Sequence, residues 1–167
     1  MPITYTAIQT TTVGAGGSGN IQFNSIPQTY TDLVLRLSCR ASTAANWILI
    51  GINGGSDTAT TLRHALNFSG TLYGQTYSSF RTPCALSTHS NVFSGNEVYI
   101  PNYTDTSYNR CMLGYGVQPI VSTDYEVQLA TYQWNTLGAI TSLTLTVDGG
   151  GNFTQYSTAS LYGIKKN

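Results

Sequence analysis

The run Leu33-Val-Leu-Arg-Leu-Ser-Cys39 constrains this chain more than any other stretch. Leu33, Leu35, Leu37 and Cys39 fall on one phase of a two-residue repeat, and Val34, Arg36, Ser38 and Arg40 on the other. That period belongs to an extended strand with one face in a core. Pro27 fixes a turn just ahead of the run, and Asp32 stands at the strand entrance, where its carboxylate can cap the turn. Residues 26–40 therefore read as the central strand of a β-sandwich.

The same alternation recurs along the chain. Leu62, His64, Leu66 and Phe68 share one phase, as do Val98 and Ile100, and Leu143, Leu145 and Val147. Cys111, Leu113, Tyr115 and Val117 are expected to face inward, with Gly114 and Gly116 on the other face leaving room for close approach of another backbone. Tyr125, Val127 and Leu129 are expected inward, with Glu126 and Gln128 outward. Residues 47–52 set Ile48, Ile50 and Ile52 against Trp47 and Leu49, a strand apolar on both faces that needs cover on both, from a loop or a second subunit. Residues 3–13 and 20–23 resemble a hairpin across the glycine-rich turn 14–19, and residues 157–164 form a closing strand. Gly14, Gly16 and Gly19 match the spacing of a dinucleotide-binding fingerprint, but Ile21-Gln-Phe23 and Pro27 follow where that motif needs a helix. No stretch has helical periodicity. About eight to ten short strands between turn signals mean an all-β antiparallel sandwich or barrel. With no linker to divide it, residues 1–167 are expected to form one domain.

Composition narrows the function classes. Charged residues make up 8% of the chain, against about 25% in ordinary soluble domains. The formal net charge is zero and the seven Lys and Arg are scattered except for Lys165-Lys166, so the basic patch of a nucleic-acid binder is missing. No run approaches the ~18 apolar residues of a membrane span, and no secretory signal pattern opens the chain. A chain with so little charge relies on something other than repulsion to stay apart from its neighbours, or it lives in an assembly. Cys39 and Cys111 fall on expected core positions and read as small buried hydrophobes. A bridge between them is possible only if their strands are neighbours.

Chemistry-bearing residues are sparse. His64 lies in phase with Leu62 and Leu66, and His89 sits in a polar loop, with no Cys or carboxylate at metal-ligand spacing. Glu97 and Glu126 are the only glutamates, and outward strand positions explain both without a pair of catalytic carboxylates. Asp57 and Asp148 beside glycine-rich turns lack the alternating acidic ligands of a calcium loop. The expectation is no catalytic residue, no metal and no cofactor. The remaining signal is aromatic: Tyr99, Tyr103, Tyr108, Tyr132 and Trp134 are expected at the surface, suited to protein interfaces or sugar stacking.

With those residues laid out, the chain resembles small β-sandwich virion structural proteins of tailed bacteriophages, especially those infecting cyanobacteria. The resemblance rests on Ser25-Ile-Pro-Gln-Thr-Tyr-Thr-Asp-Leu-Val-Leu35, Ile52-Asn-Gly-Gly-Ser-Asp57, Ile100-Pro-Asn-Tyr103, Ala139-Ile-Thr-Ser-Leu-Thr-Leu145, Gly151-Asn-Phe153 and residues 157–164. It implies a jelly-roll capsid decoration (cement) protein on the capsid surface, a homotrimer that clamps the major capsid protein, with no enzymatic activity and no nucleic-acid or membrane partner. The alternative it leaves open is a tail, tail-fibre or receptor-binding component that holds host-surface polysaccharide. The brevity of the chain favours the shell. Residues 69–94, with Tyr73, Tyr77 and Phe80, are the expected partner-binding segment, and the first strand, with Ile3 and Tyr5, is the second.

Overall fold

A computed structural model of the chain describes residues 4–44, 47–55, 59–67, 72–121 and 124–165. Twelve strands follow in order: β1 (Thr4–Thr12), β2 (Asn20–Phe23), β3 (Asp32–Cys39), β4 (Trp47–Ile52), β5 (Ala59–Asn67), β6 (Leu72–Tyr77), β7 (Arg81–Pro83), β8 (Ser94–Ile100), β9 (Arg110–Val121), β10 (Asp124–Trp134), β11 (Leu143–Val147) and β12 (Thr158–Lys165). They form an eight-stranded sheet, β1-β12-β3-β8-β9-β10-β5-β6, and a four-stranded sheet, β2-β11-β4-β7. Every strand pairing is antiparallel. Except at β5–β6 and along β8–β9–β10, consecutive strands lie in opposite sheets, so the chain crosses the sandwich at nearly every connection, as in a jelly roll. The all-β sandwich read from the alternation is the fold. The strand number exceeds the expected eight to ten because β6 and β7 lie in residues 69–94, where no alternation marks them.

The core lies between the sheets. Leu33, Leu35, Leu37 and Cys39 of β3 are at most 4% exposed, and from the small sheet Ile21, Phe23, Ile48, Ile50, Ile52, Leu143, Leu145 and Val147 join them. Each such side chain contributes about 1.5–3 kcal/mol of transfer free energy. Val34 is buried on the opposite face, where Tyr162 and Tyr99 flank it directly across from β12 and β8. The outer face of β4 is covered in part by its own chain: Trp47 packs on the Tyr77 ring at 6.1 Å, Leu49 stays half-buried, and at the strand's edge the Ile50 amide donates to the Phe80 carbonyl at 2.9 Å. The first two strands are not a hairpin. β1 pairs with β12 and β2 with β11, and the glycine turn between them carries the chain from one sheet to the other. Gly17 takes a left-handed φ of 71° there, with a Cβ site 3.0 Å from the Phe153 carbonyl oxygen.

Strands β9 and β10 are turned over relative to the sequence reading. Cys111, Leu113, Tyr115 and Val117 are exposed, and so are Val127 and Leu129. Met112, Gln118, Glu126 and Gln128 are inside, each at most 3% exposed. The room beside Gly114 and Gly116 is filled from within the chain, by the Tyr132 ring and by Asn96 with Pro83. The reason is what stands opposite. β7 is the edge of the small sheet, pairing only with β4, and its other edge lies over β8, β9 and β10. That buried edge needs hydrogen-bond partners, and side chains of the large sheet supply them. Gln118 Oε1 accepts from the Cys84 amide at 2.9 Å, Asn96 Nδ2 donates to the Pro83 carbonyl at 3.0 Å, and Tyr132 Oη donates to the Arg81 carbonyl at 2.7 Å. Polar side chains stand in for a missing neighbouring strand, so the polar phase of β9 and β10 points inward.

Candidate functional site

The inversion leaves an apolar face in solvent. The β9–β10 register sets Val117 opposite Val127, Tyr115 opposite Leu129 and Leu113 opposite Thr131, and directly opposed residues share a face and touch. Leu113, Tyr115, Val117, Val127 and Leu129 are 43%, 53%, 43%, 55% and 51% exposed. Large apolar side chains scattered singly on a surface need no explanation, but a contiguous group of them marks an interaction surface. On the next strand Gly95 lies opposite Val117, and its lack of a side chain leaves that valine uncovered.

Beyond Gly95 the face becomes polar yet stays neutral. Glu97 lies opposite Tyr115 and Arg36, and its carboxylate pairs with Arg36 Nε at 2.7 Å. Hydrogen bonding to the same carboxylate raises the Tyr115 hydroxyl above the ordinary phenol value. The Arg36 guanidinium lies 5.3 Å from the Tyr5 ring centroid and 5.5 Å from that of Tyr162, and those two rings meet edge to face at 6.4 Å. An apolar centre on β9–β10 therefore continues into an aromatic flank carrying one internally compensated ion pair. Such a face suits a largely uncharged protein partner better than a polyanion or a polycation.

Of the described residues expected to contact a partner, Tyr5 is found on this face, 47% exposed. Phe80 is in the core, 2% exposed, its ring 3.9 Å from that of Tyr132. Tyr77 is half-buried beside Trp47, with the Arg81 guanidinium 4.8 Å from its ring and its hydroxyl on Gln75. Ile3 and Asp57 lie outside the described residues, as do the side chains of His64, Tyr73 and Tyr125. Among the aromatics expected at the surface, Tyr103, Tyr132 and Trp134 are core residues at 1% exposure or less, whereas Tyr108 is 70% exposed. Tyr99 donates to the buried Asp32 carboxylate at 2.7 Å, and that carboxylate also accepts the Asn102 amide at 2.9 Å, so it ties β3 to the segment after β8.

No protein-family model, curated protein or solved structure matches this chain.

Titratable groups elsewhere are arranged for structure. Glu97 and Glu126 lie on opposite faces of one sheet, the first beside Arg36 and the second buried beside β9, so they do not face each other across a cleft. Among the described residues no three His, Cys, Asp or Glu side chains gather as metal ligands. Burial pushes the Cys39 thiol well above its usual value and Cys84 up to about 12, which keeps both protonated and unreactive. Cys111 is exposed rather than a core hydrophobe, and all three cysteines are free. Arg110, 4% exposed, lies under the Trp134 ring at 5.2 Å and donates from Nε to the Asn102 carbonyl at 3.1 Å. Desolvation lowers its pKa.

The exposed apolar residues of β9 and β10 escape the sequence reading because an apolar phase is expected to point inward. A signal for the opposite choice is present in the sequence. The complementary phase of β9 and β10 carries amides, Gln118 and Gln128, which can both donate to and accept from a backbone edge.

Proposed function

We propose that this protein is a non-catalytic structural component that works by docking the outer β9–β10 face onto another protein. The resemblance to tailed-phage virion proteins supports reading it as a capsid decoration protein, with the major capsid protein and sister copies as partners. One observation carries the proposal: five large apolar side chains lie side by side in solvent on the outer face of β9 and β10, while Met112, Gln118, Glu126 and Gln128 fill their inner face. The low charge and zero net charge of the chain agree with it, because nothing repels a second apolar surface. A stable specific interface needs about 800 Å² from each partner, and the apolar centre with its aromatic flank offers a surface continuous from β10 across to β1. Contacts of this kind are individually weak. Many copies bound to a repeating shell, each also touching a sister copy in a trimer, hold strongly through multivalency.

The test mixes purified protein with capsid shells lacking it. Saturable binding with a gain in the shells' heat resistance is expected, and Val127→Ser with Leu129→Ser should abolish it while the variant stays folded. Full binding by that variant would remove the face from the argument. Binding to host cells or their polysaccharide, with none to shells, would overturn the decoration reading in favour of a tail or receptor-binding role.

A further inference from the structure

The four-stranded sheet also has an outward face, and its chemistry is different. Gln22 on β2, Thr144 on β11 and Gly51 on β4 lie in one row, with Thr146 beside Leu49 in the next. Two segments rise beside this floor. On one side Asn53 and Gly54, with φ of 52° and 78°, turn the chain back so that the Gly55 amide donates to the Ile52 carbonyl at 3.0 Å. This is the left-handed Asn-Gly turn of a tight hairpin. A Cβ on Gly51 would come within 2.9 Å of the Gly55 carbonyl oxygen, so only glycine lets the turn close down on β4. On the other side Ser79 and Phe80 prolong the β7 ladder through the bond from the Ile50 amide to the Phe80 carbonyl. The cleft between them measures about 370 Å³, within the roughly 300–1,000 Å³ of ligand pockets.

We infer that this cleft binds a neutral saccharide. Among the described residues no charged side chain lines it, which argues against phosphate, carboxylate and ammonium ligands. The ion pair on the neighbouring strand, Arg81 with Asp148 at 3.1 Å, is already compensated. The side chains of Gln22, Thr144 and Thr146 make no hydrogen bond to any described residue. They supply an amide and two hydroxyls, each able to donate and accept, as the hydroxyls of a sugar require. Thr144 and Thr146 are two residues apart on one strand, about 7 Å, a separation that one hexose ring can bridge. The half-buried Leu49 offers an apolar surface to the C–H face of the ring. A purely hydrocarbon ligand would cover those hydroxyls without satisfying them.

The rim is held in place before any ligand arrives. Asn53 Nδ2 donates to the Ala139 carbonyl at 2.8 Å, and its Oδ1 accepts the Thr141 amide at 2.8 Å and the Ser142 amide at 3.2 Å. Little ordering is left for binding to bring about. The cleft lies on the sheet opposite to the docking face, so the inference does not rest on the decoration reading.

The test is calorimetric titration of the full chain with neutral oligosaccharides of the gluco, manno and galacto series, two to four hexoses long, and with uronic-acid oligosaccharides. Saturable binding to at least one neutral series is expected. Thr144→Val with Thr146→Val, which keeps shape and strand preference, should weaken it about tenfold or more. Gln22→Ala, on an exposed edge strand, should weaken it in the same direction and serves as the test if the double variant folds poorly. Val127→Ser with Leu129→Ser should bind sugar as the wild type does, which separates this inference from the docking proposal. No binding to any neutral series, binding to the acidic series alone, or unchanged binding by the cleft variants would overturn it.

Discussion

β3 and the β9–β10 pair carry equally clear apolar alternation, yet they use it in opposite ways. On β3 the apolar phase meets the inner face of the small sheet, where Leu143, Leu145, Ile21 and Phe23 are waiting, and it is buried. On β9 and β10 the facing element is the buried edge of β7, whose carbonyls accept from Asn96 and Tyr132 while the Cys84 amide just beyond it donates to Gln118. The apolar phase is therefore turned to solvent. Alternation reports that a strand has two unlike faces. What lies opposite decides which of them becomes core.

The contrast is most strongly tested by truncation. Leu35→Ala on β3, at a fully buried position, should destabilise the fold by about 2–5 kcal/mol in urea titration. Leu129→Ala on β10 should stay within about 0.5 kcal/mol of wild type while weakening shell binding. Equal costs at the two sites would mean that β10 is not inverted.

Next come the inward positions of β9. Gln118→Leu leaves the Cys84 amide buried without its acceptor and should cost about 1–3 kcal/mol. Gly114→Ala places a methyl group 2.7 Å from the Tyr132 ring and should cost a similar ~1–3 kcal/mol through overpacking. If Gln118→Leu stabilised the protein, the edge-capping account of the polar interior would fail.

Thiol chemistry checks the phase without perturbing it. In the native protein iodoacetamide should modify Cys111 and spare Cys39 and Cys84, read by intact mass, because the first is exposed and the other two are buried with raised pKa. Protection of Cys111 in the isolated monomer would contradict the outward phase of β9.

The smallest effect concerns the flank beside β3. Burial, and then the hydrogen bond to Asp32, push Tyr99 from 10.0 up to about 12. A phenol with a raised folded pKa contributes stability that is fully present below its unfolded value and is lost as pH rises through the folded one. Denaturation midpoints should therefore fall between about pH 10 and pH 12, and Tyr99→Phe should flatten that fall. An unchanged slope in the variant would show that Tyr99 is not coupled to folding.

Much of the fold was legible in the chain itself. The absence of helical periodicity, the turn residues, and the runs at Leu33–Cys39 and Leu143–Val147 determined an all-β sandwich with β3 and β11 in its core. Those runs read correctly because an apolar strand beneath an apolar sheet has one favourable orientation. The tertiary structure alone decided that β1 and β2 belong to different sheets, that Tyr103, Tyr132 and Trp134 are inside, and that β9 and β10 are inverted. Rotating a strand by half a turn leaves its two-residue period unchanged, so the apolar alternation alone does not encode the choice. Here it was fixed by the hydrogen bonds that the β7 edge requires, and those partners become neighbours only when the two sheets close on each other.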